Sequence, residues 1–134
     1  MPDLTDKNGN VLFSEAELRC RGSGGFRLAP GFAEHLVRLR LAWDRPMVPT
    51  SCCRSASYNV KVGGHLASLH VYDSPVQPSG GTCAVDIRVA NGTEARELAM
   101  LAMRLGWSVG VPKSGFLHLD RRDIAGLARS LFGY

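Results

Sequence analysis

A chain of 134 residues, 45% of them hydrophobic and with a formal net charge of +4, can bury one real core, so residues 1–134 are expected to form a single domain. Charged or polar residues interrupt every apolar run short of the roughly 18 residues a membrane span needs, which excludes membrane insertion. The opening Met-Pro-Asp-Leu-Thr-Asp-Lys lacks the basic-then-apolar order of a signal peptide, so synthesis in a cytoplasm is expected.

In chain order, Ser14-Glu-Ala-Glu17 is a capping-box pattern that predicts a short helix ending before the Gly22-Ser-Gly-Gly25 loop. Pro30 opens a stronger helix to about Trp43, with Phe32, Leu36, Leu39 and Trp43 on one face. Met47 to Ser51 reads as a short strand. A further helix runs from Thr93, taken as its N-cap, to Leu105, burying Leu98, Leu101, Ala102 and Leu105, with Gly106 as its stop. Residues 107–111 and 116–120 read as two strands joined by Pro112-Lys-Ser-Gly115. A last helix is expected from about Arg122 to Phe132, packing Ile124, Leu127 and Leu131. These elements describe an α+β fold.

Arginines gather in the first third (Arg19, Arg21, Arg27, Arg38, Arg40, Arg45) and at the end (Arg121, Arg122, Arg129). They fit either a solvated surface or attraction to a polyanion such as an anionic cell wall. No aromatic interleaving or helix-turn-helix pattern supports nucleic acid as the partner. Cys20, Cys52, Cys53 and Cys83 have no C-x-x-C spacing and fit small buried hydrophobes with reduced thiols.

The candidate chemistry lies in His70, Asp86 and His118, which come from separate stretches of chain. Two imidazoles and a carboxylate are the three-ligand set of a catalytic zinc, whose fourth position stays open for water. Strand phase supports the grouping. Val85, Ile87 and Val89 share one face of their strand with Asp86 on the other, and Leu117 and Leu119 oppose His118 and Asp120. Each strand can therefore bury aliphatic residues while presenting a ligand to a cleft. Phase alone does not separate ligands from structural residues.

The ordered motifs Ser51-Cys-Cys-Arg-Ser55, Tyr58-Asn59, Val62-Gly-Gly64, Ser68-Leu-His70, Ala84-Val-Asp-Ile87 and Gly115-Phe-Leu-His-Leu-Asp120 resemble the zinc D-alanyl-D-alanine carboxypeptidase family. That family includes the L-alanyl-D-glutamate endopeptidases of phage endolysins and shares its fold with the zinc domain of Hedgehog. Leu18-Arg-Cys20 and the helix leading to Pro46 are similar to its phage-associated branch. The resemblance covers about residues 12–120 and implies a small antiparallel sheet carrying the zinc site, flanked by helices.

It also implies that His70, Asp86 and His118 hold Zn2+, that Arg54 contacts the substrate's carboxylate or carbonyl oxygen, and that Ser68 supports the site. Without the resemblance, Arg54 fits a surface salt bridge and Ser68 a local turn hydrogen bond. The implied substrate is the peptidoglycan stem peptide, cut by a monomeric lysis enzyme that acts on the cell wall. The alternatives are a zinc-binding but catalytically inactive wall- or protein-binding domain, and a virion component that digests the wall during entry.

Two departures from the family pattern stand out. The family places its histidine and aspartate ligands a few residues apart, whereas Val71 to Val85 intervene here. The extra Tyr72–Gly81 reads as a turn-rich insertion, expected to form a rim beside the metal, and Thr82 replaces the family's glycine. The second concerns the general base, whose position in many members is Gly115 here. Asp120, on the ligand face, either accepts a proton or orients His118, and Asp73 in the insertion is the other candidate base. His65 and His35, the latter expected on the exposed side of its helix, lie outside the motifs.

Overall fold

The computed structural model describes residues 3–74, 76, 79–113 and 115–134. A hairpin of β1 (Leu4–Thr5) and β2 (Val11–Phe13) leads into α1 (Glu15–Leu18). The expected capping box forms there: the Ser14 hydroxyl accepts from the Glu17 N–H and the Glu17 carboxylate accepts from the Ser14 N–H at 2.9 Å. These reciprocal bonds satisfy donors that the first turn of a helix leaves unpaired. Helix α2 spans Phe32–Trp43. It begins two residues after Pro30, with Gly31 as its N-cap, and Phe32, Leu36 and Leu39 are fully buried while Trp43 is half-buried.

The centre of the molecule is a five-stranded sheet in the order β3 (Pro49–Ser51), β4 (Ala84–Arg88), β6 (Phe116–Asp120), β5 (Ser108–Val111) and β7 (Leu131–Gly133). All neighbours are antiparallel except β5 and β7. Helix α4 (Gly92–Arg104) packs on β5 and β6 and against α2. The core lies between helices and sheet. Leu98 and Ala102 of α4 meet the aliphatic face formed by Val85, Ile87, Val109, Leu117 and Leu119, and Phe32 meets Trp107 edge to face at 5.6 Å. Burying such side chains stabilises by about 1.5–3 kcal/mol each. All four cysteines are free and buried, as their small-hydrophobe reading requires.

Several expectations need correction. The N-cap of α4 is Asn91, whose side chain accepts from the Glu94 N–H, and Thr93 lies inside the first turn. Leu101 and Leu105 are half-buried rather than core. The last helix does not form. A 3-10 turn over Arg122–Ala125 stops at Gly126, which adopts φ 80°, and the chain then extends into β7. Its apparent helical face fails with it, since Leu127 and Leu131 are exposed. Extended backbone gains partners there that a helix would not: the Val109 N–H donates to Ser130 O at 3.0 Å and the Tyr134 N–H to Val111 O at 3.2 Å. His35 is half-buried on α2 rather than exposed, and its pKa is lowered by burial and by the charge of Arg121.

Candidate metal centre

Adjacent positions in the sheet bring the chemistry together. Asp86 on β4 pairs in register with His118 on β6, and Ala84 with Asp120. Because side chains alternate along a strand, these polar residues share the face opposite the aliphatic core. One row across the sheet reads Ser51, Asp86, His118, Gly110, Phe132.

His70 reaches the same point from a loop that is fastened at several backbone atoms. Its carbonyl accepts from the Arg54 N–H at 2.9 Å and from the Thr82 hydroxyl at 2.7 Å, and the Cys83 N–H donates to Leu69 O at 3.0 Å. Thr82, where the family has glycine, thus helps to fix the ligand loop. The Ser68 hydroxyl accepts from the His70 N–H at 3.3 Å, the local turn bond considered for it, and Ser68 also lines the cleft.

His70, Asp86 and His118 offer one ligand atom each within 4.8 Å of one another. The second nitrogen of each imidazole is occupied elsewhere. His70 Nδ1–H donates to the Cys52 carbonyl at 2.7 Å, leaving Nε2 3.2 Å from Asp86 Oδ1. His118 Nε2–H donates to Asp120 Oδ2 at 2.8 Å, leaving Nδ1 3.0 Å from Asp86 Oδ1. Fixing the outer nitrogen selects the tautomer and aims the inner one, as histidine ligands require. The donor set therefore fits a metal ion of borderline softness such as zinc.

Electrostatics follow from this packing. Burial holds His70 below its ordinary pKa, against the opposing pull of Asp86, and so favours the neutral ring that a metal needs. Burial would also lower His118, but its bonds to Asp120 and Asp86 prevail and raise it to about 9. Metal uptake has to displace that proton. Burial would raise Asp86, yet the two histidines hold it well below the carboxylate range. Asp120 is lowered for the same kind of reason, with His118 and Arg122 outweighing its complete burial.

Arg54 stands beside the cluster. Its Nε–H donates to Ser51 Oγ at 3.1 Å, Nη1 donates to Asn59 Oδ1 at 3.2 Å, and Nη2 lies 3.5 Å from Asp86 Oδ2. Asn59, on the short helix α3 (Ala56–Lys61), spends its amide N–H on His65 O at 2.8 Å. A side chain at Gly64 would collide with the Asn59 amide, which accounts for the glycine in that motif. Asn59 is thus a support for Arg54, a role that sequence reasoning did not assign to it.

A cleft of about 780 Å³ opens over these groups. Arg54, Ser68, His70, Asp86, His118 and Asp120 all line it. Arg122, Leu127, Phe132 and Tyr134 line it as well, a contribution that the expectation of a terminal helix concealed. Phe132 packs 5.8 Å from the His118 ring and carries the Arg122 guanidinium 5.0 Å over its own ring.

Asp73 and the insertion are not brought to the site. The Asp73 carboxylate accepts from the Ala56 N–H at 2.7 Å, at the start of α3. None of the described insertion residues lines the cleft. Tyr72 contacts the Ser23 hydroxyl at 3.2 Å, and Arg27 donates to Gly80 O at 3.2 Å, so this stretch lies on the 23–30 segment rather than forming a rim at the metal. Pro75, Gln77 and Pro78 fall outside the described residues. Gly115 adopts φ 87° and faces open space, with no side chain to act as a base.

Two imidazoles and a carboxylate with an open approach are a donor set that hydrolytic zinc centres use, and on this α+β frame they fit a metallohydrolase. The chain belongs to the Peptidase M15 family, whose model matches residues 11–120. It is a metallopeptidase of this zinc-dependent family, with the His70, Asp86 and His118 cluster intact. Comparison with curated proteins gives no significant match. Among the described residues no helix is long and apolar enough to cross a membrane.

Proposed function

We propose that the protein is a zinc peptidase that cleaves an amide bond in the stem peptide of peptidoglycan, of the D-Ala-D-Ala carboxypeptidase or L-Ala-D-Glu endopeptidase type. In this reading it is a single-domain phage lysis enzyme that acts on the cell wall as a monomer. The observation that carries the reading is the paired arrangement of a tied-off three-ligand cluster and an oriented arginine in one open cleft.

His70 Nε2, Asp86 Oδ1 and His118 Nδ1 would hold the ion. Zinc, when bound, supplies Lewis-acid activation of water and of the scissile carbonyl near neutral pH. Arg54 offers what a lysine could not, a planar fork that pairs with a carboxylate or a developing oxyanion. Ser51 and Asn59 fix that fork before substrate arrives, so less freedom is lost on binding. Asp120 keeps the His118 ring in place. Both of its oxygens are engaged, Oδ1 by the Arg122 N–H and Nε–H and Oδ2 by His118 and Arg122 Nη2. Its role is therefore orientation rather than proton abstraction.

One observation favours a second reading, a metal-binding domain that recognises wall or protein without cutting it. The carboxylates lining the cleft are Asp86 and Asp120, both committed to partners, and neither Gly115 nor Asp73 supplies another. Incubating zinc-loaded protein with purified peptidoglycan and identifying new termini by mass spectrometry separates the two. New amino and carboxyl ends at one stem-peptide bond support the peptidase. An unchanged wall with zinc retained supports the binding domain.

A further inference from the structure

Tyr134 lines the same cleft as the ligand cluster and has no part in the scheme above. It follows Phe132 by two positions, so the two rings share one face of the extended C-terminal segment. Phe132 packs on His118, and Tyr134 continues the row at 5.9 Å from Phe132. The row depends on a gap. Gly110 sits between His118 and Phe132 in the sheet, and a Cβ there would come within 2.7 Å of the Phe132 ring and 3.1 Å of the Tyr134 ring. The missing side chain leaves room for both rings, Phe132 against His118 and Tyr134 beside Phe132.

The phenol has no hydrogen-bond partner among the described residues, in contrast to Tyr72, whose hydroxyl contacts Ser23. Tyr134 is 59% exposed, so its hydroxyl is open to a molecule in the cleft. The part of the ring that is buried and the charge of Asp86 raise its pKa, with Arg54 opposing, and the phenol stays protonated near neutral pH. A neutral phenol is a donor, not a base. The donors around the centre are otherwise largely committed: Arg122 is spent on Asp120, and Arg54 shares its charge with Asp86.

We infer that Tyr134 is a further catalytic residue, its hydroxyl donating a hydrogen bond to the carbonyl oxygen of the scissile amide as charge develops there, in the cleft it shares with Arg54. The inference rests on the peptidase reading. Loss of one such donor costs about 10²–10³ in turnover where charge develops only in the transition state.

The test compares the zinc-loaded full chain with Tyr134→Phe, on muropeptides released from purified wall and on a panel of phosphinate pseudodipeptides covering the stem-peptide bonds. Tyr134→Phe is expected to keep parental zinc content and melting temperature, to lower kcat about 100-fold with KM within about twofold, and to weaken phosphinate binding by calorimetry about as much as kcat. A parent that cleaves and a Tyr134→Phe variant with unchanged kcat overturn the role of Tyr134 alone. A rise in KM at constant kcat overturns it too, since uniform binding is then all that the hydroxyl provides. A parent that neither cleaves nor binds any phosphinate overturns the peptidase reading and this inference with it.

Discussion

Leu117 and His118 are neighbours in β6 and face opposite sides of the sheet. On one side Val85, Ile87, Leu117 and Leu119 vanish under α2 and α4. On the other, Asp86 and Asp120 are 5% and 0% exposed, as hidden from water as the leucines behind them. The two faces thus differ in what offsets burial rather than in its degree. Apolar surface is stabilising in itself once removed from water. A buried carboxylate is tolerable only with partners in place, and here they are two histidines and two arginines. The aliphatic face therefore answers to volume, whereas the polar face answers to atom-by-atom geometry.

The sharpest way to break this comparison is to substitute the two neighbours separately. His118→Ala should abolish zinc binding and hydrolysis while the chain stays folded, because Asp86 keeps Arg54 and Asp120 keeps Arg122. Metal analysis beside a circular dichroism melt reads both quantities, and a variant that holds zinc as tightly as the parent would remove His118 from the ligand set. Leu117→Ala should do the reverse, losing about 2–5 kcal/mol of unfolding free energy in denaturant titrations. Its folded fraction should still take up zinc in the parental ratio.

Next in size is Arg54→Lys, expected to cut turnover by about 10²–10³. Lysine cannot reproduce the bonds to Ser51 and Asn59, so a stability loss of about 1–2 kcal/mol should accompany it. A Lys variant with full activity on muropeptides would return Arg54 to structural duty. Asp120→Asn is milder: it leaves His118 an acceptor but removes the charge, and zinc affinity should fall about 10–100-fold in chelator competition. Abolished hydrolysis with zinc affinity intact would instead make Asp120 the base, against its saturated hydrogen bonding. The smallest effect belongs to His65→Ala. His65 lines the cleft but lies outside the ligand cluster, and its Nδ1 accepts from the Ala67 N–H at 3.1 Å. Zinc content should stay parental and stability should move by no more than about 0.5 kcal/mol.

Features set by local rules were legible in the chain. The Ser14 box, the buried stripe of α2 and the alternation through Asp86 and His118 each depend on residues within a turn or a strand of one another. The grouping of the ligands needed motif order as well, because phase says which side a residue faces and not what stands beside it. The terminal segment was misread for a comparable reason. Ile124, Leu127 and Leu131 keep helical spacing, but β7 is decided by the free edge of β5, far away in sequence. That error hid Phe132 and Tyr134, and so the C-terminal part of the cleft lining. Helix α3 was missed because it is short and its start is held by Ser55 and by distant Asp73.

The clamp around the insertion has a consequence for how this enzyme tolerates change. Leu69, His70 and Val71 enter it, and Thr82 and Cys83 leave it, fastened to each other by the Thr82 hydroxyl on His70 O and the Cys83 N–H on Leu69 O. The path between is therefore an excursion whose ends are already joined. Doubling the length of a flexible excursion costs only about 0.6 kcal/mol in chain entropy. Ligand spacing along the sequence is thus a loose variable, while ligand spacing in space is strict. Evolution or an engineer could lengthen, shorten or replace the stretch after Asp73 as a cassette, provided that Asp73 stays on the start of α3 and Thr82 returns to its place.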